Sequence, residues 1–111
     1  MASDKFYIGQ NDTADDLVRV LTKADGSVID LTGCTVDFRM INKVSDRIIT
    51  GACTVTSEAG GMVTYEWQPG DTSEAGDHSG KFYVTYPSTQ IGTVPNNDEV
   101  TIVVDAEIPS A

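Results

Sequence analysis

Along most of the chain, apolar and polar residues alternate one by one. Cys34, Val36, Phe38 and Met40 alternate with Thr35, Asp37 and Arg39. Val63, Tyr65 and Trp67 alternate with Met62, Thr64 and Glu66. Phe82, Val84 and Tyr86 share one side of their segment, as do Val100, Ile102 and Val104 of theirs. A period of two sends successive side chains to opposite faces of a strand, so each segment predicts one buried and one wet face. The full reading places strands over 5–8, 16–22, 28–31, 34–42, 47–50, 52–57, 62–67, 78–86, 90–94 and 99–105.

Helical periodicity is almost absent. Residues 12–22 could be forced into a helix capped by Thr13, but Val18-Arg19-Val20-Leu21-Thr22 is rich in β-branched residues and runs straight into Ala24-Asp25-Gly26-Ser27. A strand–turn–strand reading is better. The remaining breaks are Thr32-Gly33, residues 42–46, Glu58-Ala59-Gly60-Gly61, Gln68-Pro69-Gly70-Asp71, residues 87–89 and Pro95-Asn96-Asn97-Asp98. Gly51 interrupts an apolar run, as at a bulge or where a strand changes sheets. Residues 72–77 read as a crossing loop. About seven main strands with turns at this spacing predict an all-β, immunoglobulin-like antiparallel sandwich. It is read as a single domain over 1–111, with 106–111 a loose tail.

Composition narrows the class of function. The chain has 111 residues, enough for one core and too few for two domains. Its net charge is −10, from 17 acids against 7 bases. Such a surface repels phosphate backbones and anionic lipid, so neither nucleic acid nor membrane is an expected partner. No apolar run follows Met1-Ala2-Ser3-Asp4-Lys5, which predicts no secretory signal and synthesis in a cytosol.

The residues that carry chemistry are sparse. His78 precedes Ser79, but neighbours on a strand face opposite ways and cannot form a base–nucleophile pair. No phosphate loop, nucleophile elbow or zinc-binding helix motif is present, so no enzyme and no cofactor are expected. Asp12, Asp15, Asp16 and Asp25, with Asn96, Asn97 and Asp98, lack the spacing of a calcium loop, and no metal site is expected. Cys34 and Cys53 read as free, buried thiols. Trp67 reads as a core residue, with a sugar-stacking platform beside Tyr83 or Tyr7 as the alternative. Lys5, Phe6, Tyr7 and Ile8 form a leading arm able to join a neighbour's sheet edge, or else the domain's own edge strand. Tyr83 falls on a wet face that a partner could cover.

Several segments together resemble a known domain type. These are Leu31-Thr32-Gly33, Trp67-Gln68-Pro69-Gly70-Asp71-Thr72 and Val94-Pro95-Asn96, with Phe6-Tyr7-Ile8-Gly9-Gln10-Asn11-Asp12 at the start and Lys81-Phe82-Tyr83-Val84-Thr85-Tyr86 late. They are similar to the N-terminal immunoglobulin-like domain of phage baseplate upper proteins. His78 stands where that domain type usually has an aromatic, typically tyrosine, and the helical, receptor-holding part that follows in such proteins is not expected within these 111 residues. The resemblance implies a structural protein of the phage virion, made in the host cytoplasm. It would dock as a decoration or adaptor module onto other virion proteins of the capsid, tail or baseplate, in many copies within a symmetric assembly. A carbohydrate-binding module aiding attachment to the host surface is the alternative expectation.

Overall fold

The computed structural model describes residues 4–23, 25–94 and 100–107, and all of their regular structure is β. Nine strands are described: β1 Asp4–Gly9, β2 Leu17–Val20, β3 Thr35–Asn42, β4 Ile48–Ala52, β5 Thr54–Ser57, β6 Met62–Tyr65, β7 Gly76–Thr85, β8 Ile91–Val94 and β9 Val100–Asp105. They form two layers, as the alternation predicts. The larger sheet runs β1-β9-β7-β3-β4, with β8 also paired to β7, and the smaller runs β2-β6-β5. The fold is an all-β, immunoglobulin-like sandwich.

β3 and β7 form the spine. Their antiparallel register runs from Thr35 opposite Thr85 to Asn42 opposite His78. Val36, Phe38, Met40, Phe82 and Val84 point inward from this pair and are buried. Leu17, Val63 and Tyr65 meet them from the smaller sheet. Phe38 lies at the centre, 5.1 Å from Tyr65 and 5.2 Å from Phe82 between ring centroids, with Trp67 edge-on at 6.0 Å. Each such side chain contributes roughly 1.5–3 kcal/mol by burial. Gly80 keeps this packing possible, because a Cβ there would come within 2.9 Å of the Phe38 ring. The core reading of Trp67 agrees with its 4% exposure.

The turn after β6 is held by a buried polar contact. The Tyr65 hydroxyl donates to the Asp71 carboxylate, which also accepts the backbone N–H of Gln68 at 2.9 Å. Burial, reinforced by the Asp71 hydrogen bond and charge, pushes the Tyr65 phenol above its ordinary range. Gly70 completes the turn at φ 92°, a conformation that a Cβ disfavours.

Three details differ from the sequence reading. β1 pairs with β9 in parallel, so the larger sheet is not wholly antiparallel. The change of sheet falls at Cys53, not Gly51. Gly51 lies within β4, and it is glycine because the Tyr65 ring covers it: a Cβ would sit 2.5 Å from Tyr65 Cε1. Residues 28–31 shrink to a bridge between Val28 and Thr22, since the Asp30 carboxylate accepts the Thr32 N–H and hydroxyl and closes a turn there. The next residue back into the core, Leu31, is fully buried and plugs its end. The expected Pro95–Asp98 turn and most of the 106–111 tail lie outside the described residues.

Candidate functional site

The outward face of the larger sheet carries a strip of cationic, aromatic, hydroxyl and apolar side chains. Register sets its rows. Ser79, Ile41 and Ile48 lie side by side on β7, β3 and β4. Lys81, Arg39 and Thr50 form the next row, and Tyr83, Asp37 and Ala52 the row after it. Arg39, Ile41, Ile48, Ser79, Lys81 and Tyr83, with Met40, line a shallow depression of about 280 Å³.

Arg39 and Lys81 face each other directly across the β3–β7 pair. Like charges at such opposed positions destabilise a sheet. Neither has a carboxylate partner among the described residues, whereas Arg19 forms an ion pair with Asp4 at 2.6 Å. The Arg39 guanidinium instead lies over the Tyr83 ring, 4.2 Å from its centroid, a cation–π contact. Beside the two cations, Ile48 is 60% exposed. The strip thus joins positive charge, an aromatic ring, the Ser79 hydroxyl and open apolar surface.

The residues singled out from the sequence are divided by the fold. Lys5 and Tyr7 point out from β1 and are exposed. Ile8 is buried, and Phe6 turns inward with its centroid 6.0 Å from Trp67. The arm is therefore seated as an edge strand of its own sheet, with half its side chains in the core. Tyr83 is on the outer face, but Tyr7 lies level with Asp77 through Val103. Six residues along β7 separate the two tyrosines, about 20 Å. The sequence reading missed Arg39, Lys81, Ile41 and Ile48. Their wet positions were visible in the alternation, but their adjacency depends on register.

Elsewhere the candidate groups are engaged in structure. His78 is buried; its Nδ1 lies 3.1 Å from the Gly76 carbonyl and its Nε2 3.5 Å from Asn42 Nδ2. These contacts make Nδ1 the donor and Nε2 the acceptor. Ser79 points to the opposite face. Asn42 also donates to Glu74 Oε1 at 3.2 Å and accepts the N–H groups of Val44 and Ser45, so the network ties the turn after β3 to the approach to β7. Both cysteines are free but half-buried rather than buried. Burial, then the Asp37 charge, pushes the Cys53 thiol up to about 12. Asp25 holds the N–H and hydroxyl of Ser27, which lower its carboxyl from the ordinary value. No group of three or more His, Cys, Asp or Glu converges on a metal position among the described residues. No helix among them is long and apolar enough to cross a membrane.

No family model matches the chain, and no curated protein matches it. Among solved structures it is similar to CopC from Methylosinus trichosporium OB3b, with a TM-score of 0.51 and 10% identity, over 100% of this chain and 91% of that one. At that identity the likeness shows the fold. It also corrects the functional expectation: a structure matched over 100% of this chain is CopC and not a phage virion protein. The expected role as a virion decoration or adaptor module, with its carbohydrate-binding alternative, is overturned on this point and is set aside. None of the three results tests the resemblance to the baseplate upper domain itself.

Proposed function

We propose that the chain is a non-catalytic binding module that engages another protein through the outer face of its larger sheet, where β3, β7 and β4 meet. The observation that carries this reading is the Arg39–Lys81 pair. In a chain with 17 acids, two cations sit opposed and without a carboxylate partner among the described residues, beside an isoleucine left open to water. A local arrangement that costs stability marks a site kept for another purpose. The groups on the strip suit contact rather than catalysis, since the buried histidine faces the other way. The −10 charge disfavours nucleic acid as the partner.

The test places a photo-crosslinking residue at position 48 and, separately, at position 54 on the smaller sheet. The expected result is a discrete adduct from position 48 and none from position 54. The protein in that adduct is then expected to bind Ile48→Glu at least about tenfold more weakly, a loss of about 1.4 kcal/mol. Equal adducts from both positions, or unchanged binding by Ile48→Glu, would sink the reading.

A further inference from the structure

We infer that the Arg39–Lys81 pair is a carboxylate notch, and that the partner supplies an extended segment with Asp or Glu over the two cations and an apolar side chain two residues away over Ile41 and Ile48. The inference rests on the binding-module reading and names what that strip would receive. Its first support is charge. Two cations at opposed register positions, with no carboxylate partner among the described residues, suit a partner that brings one carboxylate between them. The guanidinium already rests against Tyr83, which reduces the freedom it loses on binding.

The second support is spacing. Arg39 and Ile41 are two residues apart on one face of β3, which is about 6.6 Å. An extended segment laid along β3 repeats that interval, bringing every second side chain to the same face. Asp37 fixes the order of the groups. It occupies the row beyond Arg39, opposite Tyr83, and repels an acid placed there. The acid therefore sits over the Arg39–Lys81 row, and the apolar side chain on the Ile41–Ile48 row. A polyanion would meet the −10 field of the whole chain, so a single carboxylate is favoured over a phosphate-rich ligand.

The experiment titrates the full chain with Ac-Leu-Thr-Glu-NH2, Ac-Leu-Thr-Gln-NH2 and inorganic phosphate, following backbone amide shifts. With the glutamate peptide, the amides of Arg39, Ile41, Ile48, Lys81 and Tyr83 are expected to shift and saturate. The glutamine peptide is expected to bind at least about tenfold more weakly, as befits loss of a charge-assisted contact. The double variant Arg39→Gln/Lys81→Gln is expected to keep a dispersed spectrum and lose the shifts. Equal binding of the two peptides overturns the inference, as do shifts scattered over other faces. Phosphate matching the glutamate peptide on the same amides also overturns it, since the pair would then be a general anion site. If a partner crosslinked at position 48 binds the double variant unchanged, the notch fails and the module reading survives. If no adduct forms at position 48, both fail.

Discussion

At Gly51 a single missing side chain lets the two sheets meet. The Tyr65 ring, anchored through Asp71, occupies the space where a Cβ would be, 2.5 Å from Cε1 and 2.8 Å from the hydroxyl oxygen. Gly51→Val is therefore expected to cost about 1–3 kcal/mol through overpacking. A urea midpoint at the wild-type value would show that Tyr65 moves aside freely. Cys53 sits two residues on, at the change of sheet, and keeps its proton from its ordinary 9.0 up to about 12. The unfolded chain loses that proton first, so this thiol's contribution to stability is constant below pH 9 and falls as pH rises from there through about 12. The raised Tyr65 phenol acts in the same direction at higher pH. Cys53→Val is expected to flatten part of this decline, by at most about 1.4 kcal/mol per pH unit. Urea midpoints measured on either side of the window check it, and an identical decline in the variant would show that the thiol is not responsible. Neither residue's role was legible in the sequence. Gly51 read as an interruption, because nothing in its neighbours reveals that Tyr65 lies above it.

Strand pairing adds what single residues lack. The alternation in β3 and β7 was clear from the sequence, and their buried faces follow it. Arg39 and Lys81 read separately as wet positions, and the register that opposes them comes from the paired strands. Lys81→Glu turns that opposed pair into an attractive one. It is expected to raise stability by about 0.2–1 kcal/mol and to abolish binding of the glutamate peptide. A lowered melting temperature would show that the pair is not strained. β1 makes the same point about elements. Its run Lys5-Phe6-Tyr7-Ile8 was legible as a short strand, either an arm for a neighbour or an edge. Its parallel seat on β9 puts Phe6 and Ile8 inward, and the Asp4–Arg19 ion pair ties it to β2 of the other sheet. Gly51 read as either a bulge or the change of sheet; the change between β4 and β5 comes two residues later, since a glycine in an apolar run is a stronger local signal than the cysteine where the chain turns.

Across the whole molecule, the −10 charge sets the long-range field. Self-repulsion among acids opposes compaction, and salt screens it over about 8–10 Å near physiological ionic strength. Adding sodium chloride is therefore expected to raise the melting temperature while weakening the glutamate peptide at the notch. A melting temperature that falls with salt would mean that attractive pairs outweigh the repulsion. The sequence by itself determined the fold class, because a period of two with turns at short intervals can bury a continuous apolar face only by packing strands in layers. It also determined most strand positions, and the identity of the core from Val36 to Val104. Tertiary structure alone decided which wet residues are neighbours, where the chain crosses between sheets, and that β1 runs parallel to β9. The physical reason is range. Alternation is a local property, set by each residue's own backbone, whereas the Arg39–Lys81–Ile48 strip joins strands that are distant in the chain and aligned by packing and hydrogen-bond register.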